Sequence, residues 1–268
     1  MENTMEKRNE NYVFPWGFHL GSLHRGEDSI PLYTPTEDGG FCLLYDKASE
    51  PKADSLLESL CLELLATMPG ASLEVDLFDF GKKKFYNLTT LQHIQLFRIA
   101  YTPEMCSDMF ESLEKTIISR HSEILCCNRK TINEHNEKSK LKQKYHLVMM
   151  NLENFPTDDY EARRIMNFLE SASIAGVYVI PFGYHDIEKS GNENVQAILK
   201  RFKKLRVKEG EFEITKEIFE FAELLEDHRF ESLNLDKGAL LQQAFNTNDL
   251  EKHMDPTLIK YETDTKVK

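Results

Sequence analysis

Gly39-Gly40-Phe41-Cys42-Leu43-Leu44-Tyr45-Asp46-Lys47-Ala48-Ser49-Glu50-Pro51-Lys52-Ala53-Asp54-Ser55-Leu56-Leu57-Glu58-Ser59-Leu60 reads as a buried strand, a loop with lysine, and an amphipathic helix. That is the layout of a phosphate-binding loop, G-x-x-x-x-G-K-[ST] between strand and helix. The residue types that hold phosphate are replaced. With Lys52 set on the motif lysine, Asp46 and Pro51 fall on the two glycines and Ala53 on the hydroxyl. Glycine lets backbone N–H groups curl around phosphates, and the hydroxyl holds magnesium. Pro51 has no N–H and a fixed φ, and Asp46 and Glu50 repel a triphosphate. The scaffold is present without its phosphate chemistry.

Working outward, Val13 to Gly21 and Ser29 to Tyr33 are short strand-like pieces separated by turn residues. The helix over Ser55 to Met68 carries Leu56, Leu57, Leu60, Leu64 and Leu65 on one face and stops at Pro69-Gly70. Leu73 to Phe80 alternates as a strand and runs into a turn at Gly81. Pro103 to about Asn128 has helical spacing. The polar segment Asn128 to Lys144 is open between a helical extension and a loop. Leu147 to Leu152 is continuously apolar, as expected of a strand covered on both faces. Thr157 caps a helix running to about Ile174, Gly176 ends it, and Val177 to Phe182 is a further buried strand. Strand and helix alternation of this kind predicts an α/β domain with a mostly parallel sheet. Asn192 to Arg206 reads as a basic helix and Glu209 to Glu226 as acidic and amphipathic. The predicted organisation is a polar disordered tail over 1–12, one domain over 13–236, and a helical and polar tail over 237–268.

The 268 residues are 41% hydrophobic, enough for a real core, and carry a net charge of −12. Nucleic-acid affinity comes mainly from Lys and Arg neutralising phosphates, so a whole-surface DNA grip is excluded. No apolar run approaches the roughly 20 residues of a membrane helix, and the polar N-terminus is unlike a secretory signal. Cysteines 42, 61, 106, 126 and 127 include no C-x-x-C, which predicts buried reduced thiols in a cytoplasmic protein.

Several features fall in a familiar order. Phe14-Pro15-Trp16-Gly17 and Ile30-Pro31-Leu32 precede the altered loop. Met68-Pro69-Gly70 leads into Leu73-Glu74-Val75-Asp76-Leu77-Phe78-Asp79. Arg120, Asn128 and Asn133 follow along a helical stretch. Next come His146-Leu147-Val148-Met149-Met150-Asn151-Leu152-Glu153-Asn154-Phe155-Pro156 and Ser173-Ile174-Ala175-Gly176-Val177-Tyr178-Val179-Ile180. This order resembles the motor domain of FtsK/SpoIIIE-type and HerA-type DNA translocases over roughly residues 13–190. The resemblance implies a three-layer P-loop NTPase-like fold of the RecA/ASCE type, with helices on both faces of a mostly parallel sheet. It also shows where the family pattern fails. In working members the second strand ends in an acidic pair, one acid holding magnesium and the other polarising the attacking water. Here Phe155-Pro156 places Glu153 and Asn154 at the pair, whereas counting from Met150 places Asn151 and Leu152 there, and both registers stay open. The sensor glutamine falls near Tyr184, and the family's arginine near Ser173. No catalytic residue is expected. The residual nucleotide site is Lys52, Ala53, Asp54, Glu153 and Asn154. Either no cofactor binds, or ATP with magnesium binds without hydrolysis.

Other constellations are sparser. Nine histidines without a ligand pair give no metal site. Asp76 and Asp79 point to opposite faces of a strand, with Asp79 at the end where α/β sites lie. Lys82-Lys83-Lys84 reads as a solvating loop run. Lys200, Arg201, Lys203, Lys204 and Arg206, with Lys208, form the best basic patch, read either as a solvated helix face or as a contact for DNA or an acidic partner. The acids that follow favour pairing with a protein. The expected function is a non-catalytic ATPase-like docking subunit in a bacterial DNA-processing or anti-phage defence complex. Its partners are other protein subunits, such as an active ATPase or nuclease, with indirect DNA association, homo-oligomerisation and no membrane. The alternative is a DNA translocase subunit whose ATPase needs a partner subunit.

Overall fold

The computed structural model describes residues 12–157, 159–225 and 227–248. The first eleven residues of the expected tail, and 249–268 of the C-terminal segment, lie outside them. Two antiparallel strands open the chain, β1 (Gly17–Arg25) and β2 (Asp28–Pro35), followed by β3 (Cys42–Tyr45) and α1 (Glu50–Thr67). Next come β4 (Leu73–Phe78), the one-turn α2 (Tyr86–Thr89), β5 (Phe97–Ala100) and α3 (Pro103–Ser119). Thr102 caps α3 by accepting from Met105 N, and Pro103 starts it with a preset φ. A π-turn over Arg120–Ile124 then loosens its end. The polar segment before the next strand holds a separate short helix, α4 (Ile132–Lys138), capped by Thr131. Then follow β6 (Tyr145–Asn151), α5 (Ala162–Ala172), β7 (Val177–Tyr184) and α6 (Glu193–Arg201). The chain continues through β8 (Lys204–Lys208), β9 (Glu211–Glu213), β10 (Arg229–Ser232) and α7 (Lys237–Thr247).

Seven strands form the main sheet in the order β5-β4-β6-β7-β3-β8-β9, parallel except for β9. This is the expected three-layer architecture of the RecA/ASCE type. Every residue of β3 and β6 is buried, which explains their unbroken apolar runs. Leu147 and Met149 of β6 face the core shared by α1, the small β10-β1-β2 sheet and α7. Val148 and Met150 face the core made by α3, α5 and α6. Gly40 lets β3 cross its neighbour: a Cβ there, at φ +145°, would meet Val179 O at 1.7 Å.

Two expectations are corrected. The helix after Pro156 begins at Ala162, with Glu161 rather than Thr157 at its N-cap. The basic helix expected over 192–206 ends at Arg201, and Lys204 to Lys208 is a strand. Its Leu205 and Val207 are buried while Lys204 and Arg206 alternate with them, a period of two that pairs β8 with β3. The run of cations hid this period. The acidic segment from Glu209 contributes β9 and a hairpin turn at Glu209-Gly210, both with positive φ.

Candidate functional site

β3, β6 and β7 end together beside the N-terminus of α1, the place where a P-loop fold houses nucleotide. The connection is short, since Tyr45 ends β3 and Glu50 starts α1. Asp46 fills it from within. One carboxylate oxygen accepts from Ser49 N at 2.8 Å and the other from Glu209 N at 2.6 Å. These bonds hold the Asp46 carboxyl below its ordinary range, the Glu209 amide most of all. Ser49 Oγ accepts from Gly210 N at 2.9 Å. The β8–β9 turn is thereby fastened over the loop. The Ser49 N–H points to Asp46 rather than outward, Lys52 and Ala53 N donate to Ser49 O, and Pro51 has no N–H.

Behind the loop lies a buried charge cluster. Lys83, 5% exposed, reaches in from the turn after β4 and meets Glu50 Oε1 and Asp54 Oδ1, each at 2.7 Å. Its ammonium stands 5.0 Å from the centre of the Tyr45 ring. Burial opposes its charge, but Tyr45, Asp54 and Glu50 outweigh burial and hold its pKa above the ordinary lysine value. The Tyr184 hydroxyl donates to the other Glu50 oxygen. That bond first, and then burial, push Tyr184 up to about 12. Burial likewise opposes the charge of Glu50, yet its bonds to Lys83 and Tyr184 lower it. Burial raises Asp54 more than Lys83 lowers it. Asp79, at the end of β4, accepts from Gly81 N at 2.7 Å and also from Lys83 N, and so aims Lys83 inward.

The expected nucleotide residues are thus placed near one another but turned to different tasks. Lys52 donates to Gly210 O and lies 3.7 Å from Glu211, so it braces the β8–β9 turn. Ala53 is fully buried, and Asp54 holds Lys83. Asn154 donates to Asp79 O at 3.2 Å, and Glu153 accepts from Tyr184 N at 3.4 Å. β6 ends at Asn151, and Leu152 is buried in the α3–α5 core, so of the two registers the one counted from Met150 coincides with the strand end. Asp76 lies deep in the sheet, with Arg98 Nε at 2.7 Å and His146 Nδ1 at 3.2 Å.

The basic patch is divided among structural pairs. Lys203 meets Asp38 at 2.7 Å and Lys204 meets Glu217 at 3.0 Å. Arg206 meets Glu217 at 2.7 Å and Glu188 at 3.0 Å. Lys200 and Arg201 end α6, where cations suit the helix dipole. Among the described residues no group of acids, histidines and cysteines is placed to hold a metal. No described helix is long and apolar enough to cross a membrane.

Lys83 is not a solvating residue as the run Lys82-Lys83-Lys84 suggests, but the buried partner of Glu50 and Asp54. In the structure Lys83 and Phe85 are buried while Lys82 and Lys84 are exposed, an alternation that three consecutive lysines do not display.

No family model and no curated protein matches the chain. Solved structures do. ATPases 2 and 3 of EssC from Geobacillus thermodenitrificans superpose with a TM-score of 0.63 at 13% identity, over 91% of this chain and 50% of that one. The fold is that of the FtsK/SpoIIIE-type P-loop ATPases. The pCW3 conjugation coupling protein TcpA, solved with ATPγS, gives 0.53 at 13% identity over 87% and 72%. ATPases 2 and 3 of Thermomonospora curvata EccC, solved with a signal sequence peptide, give 0.50 at 13% over 74% and 37%. The chain therefore spans half the length of the EssC structure. Asp46, Lys83, Glu50 and the β8–β9 turn occupy the surroundings of the loop between β3 and α1.

Proposed function

We propose that the chain is a non-catalytic, FtsK/HerA-like pseudo-ATPase that acts in the cytoplasm as a docking and assembly subunit. Its setting is a bacterial DNA-processing or anti-phage defence complex, with protein subunits as partners and DNA reached only through them. The observation that carries this reading is the self-filled loop. Asp46 ties the loop to the β8–β9 turn through Ser49 N and Glu209 N, Lys83 is neutralised by Glu50 and Asp54, and Lys52 is spent on Gly210. A triphosphate would have to displace acids rather than meet N–H donors, and Asn151 at the end of β6 offers no carboxylate for magnesium. The EccC structure with a signal sequence peptide supports a polypeptide partner.

Isothermal titration with Mg-ATP tests the reading, at protein concentrations that detect a Kd of about 1 mM or tighter. No heat of binding is expected. Binding that Lys52→Ala removes would overturn it, as would ATP turnover on mixing with a partner subunit that exceeds the partner's own and is lost in Lys52→Ala. The second result would establish the partner-dependent translocase instead.

A further inference from the structure

Between the small sheet and the C-terminal half of α1 lies a cavity of about 160 Å3, away from the filled loop. Phe18 of β1 and Leu60 and Leu64 of α1, all buried, form its apolar walls, and Tyr33 of β2 closes one side. Two polar side chains from different elements meet there, His19 on β1 and Glu63 on α1. A bulge between His19 and Gly21 interrupts the pairing with β2 at this point, and bulges re-aim the side chains beside them.

His19 Nδ1 lies 3.0 Å from Glu63 Oε1, and the imidazole stacks on Tyr33 with centroids 4.9 Å apart. A carboxylate accepts, so Nδ1 carries the proton and the neutral ring leaves Nε2 as a bare acceptor. That nitrogen is shut off from solvent and has no hydrogen-bond partner. A buried polar atom left unpaired costs stability, and His19 lines a cavity with room for a donor. By accepting from Nδ1, Glu63 fixes the tautomer and makes Nε2 a stronger acceptor. Thr67, at the exposed end, donates to Glu63 O at 2.7 Å and keeps its lone pairs for a second donor.

The lining thus offers acceptors, one negative charge and apolar walls. No Lys or Arg lines the cavity, and among the described residues none pairs with Glu63. One imidazole and a carboxylate already bonded to it are too few ligands for a metal. What the cavity lacks is an N–H donor carrying positive charge. A quaternary ammonium has no N–H, and a guanidinium presents a planar fork rather than three donors on one compact atom. We propose that this cavity binds a primary alkylammonium group, its nitrogen donating to His19 Nε2 and its methylene stem lying against Leu60 and Leu64. The source is a lysine side chain of a partner or a free alkylamine. The site stands at the far end of α1 from the loop and goes beyond the docking reading, so either can fail alone.

Long-range 1H–15N spectra of the full chain read the His19 ring nitrogens. Emission of Trp16, the sole tryptophan, reads the Tyr33 ring on which it leans with centroids 5.0 Å apart. n-Butylammonium chloride is titrated from about 0.1 to 50 mM at constant ionic strength, and a Kd of about 1–10 mM is expected. The Nε2 signal and Trp16 emission then move with one midpoint. n-Butanol, which lacks the charge, and tetramethylammonium, which lacks the N–H, bind about tenfold or more weakly. His19→Phe keeps a stacked ring and loses the binding, and Glu63→Gln weakens it by about tenfold. The ligand comparison uses the parent chain, so it does not depend on the folding of the variants. An end-blocked Gly-Lys-Gly peptide that binds at least as tightly as butylammonium assigns the site to a partner's lysine, and one that binds less tightly assigns it to free amines. No His19 shift by about 50 mM butylammonium would overturn the proposal. So would equal responses to the three compounds, or binding unchanged in His19→Phe.

Discussion

Replacing Lys83 by Met is the most informative perturbation of the filled loop. Met keeps the bulk that packs near Tyr45 and Phe182 but removes the cation. Glu50 and Asp54 are then left one helical turn apart on α1 with nothing between them. Breaking a buried ion pair by removing one partner costs about 3–5 kcal/mol. The two carboxylates are 32% and 30% exposed, so water recovers part of that. We expect a loss of about 2–3 kcal/mol once this is allowed for. At about 2–4 °C per kcal/mol for a domain of this size, the Tm falls by roughly 5–10 °C. Thermal unfolding followed by circular dichroism reads it, with the exposed Lys84→Ala as a control that changes little. The sign with pH is also fixed. Lys83 lowers both folded carboxyl pKa values, so its removal moves both up, and the deficit shrinks on acidification. Adding Glu50→Gln and Asp54→Asn to the Met variant recovers stability, because neutral side chains do not repel. A Met variant as stable as the Lys84→Ala control, or a deficit that grows as pH falls, would refute the reasoning.

Other expectations concern charges that the fold has absorbed. Arg206→Ala breaks contacts to Glu188 and Glu217 from a side chain only 20% exposed, and should cost about 1–3 kcal/mol in urea unfolding. DNA affinity should stay unchanged in the same variant; a Tm-neutral change that weakened salt-dependent DNA binding would return the patch to nucleic acid. Burial opposes the charge of Asp76, but His146 and Arg98 hold it below its ordinary 3.8. An acid lowered in the fold stabilises fully above its unfolded pKa and loses that contribution as pH falls through the folded value. Asp76→Asn should therefore sit about 3 kcal/mol below the parent at pH 7, with the gap closing below about pH 4. A gap independent of pH in denaturant titrations would show that Asp76 acts by packing alone.

The reading of the loop stretch carries most of what was legible. A wholly buried strand, a short polar connection and an apolar-faced helix announce themselves because burial on both faces removes polar residues from β3, and one-sided burial imposes helical spacing on α1. β6 and β7 follow for the same reason. Local alternation was harder where charge masked it. Leu205 and Val207 between basic residues looked like part of a helix face, and Lys83 between two other lysines looked solvated.

The α/β class, the loop strand and its helix, and the replacement of the motif's glycines and hydroxyl by Asp46, Pro51 and Ala53 are all legible in the chain itself. These are local facts, set by side-chain volume, hydrogen-bonding groups and period. What stands in place of the missing chemistry is set by long-range contacts. Lys83 comes from the turn after β4, Tyr184 from β7, and the clasp over Asp46 from a turn some 160 residues further along the chain. Those partners are joined by sheet order, since β3 lies between β7 and β8. Whether a lysine is solvated or buried between two carboxylates depends on which strands become neighbours, and no local pattern encodes that.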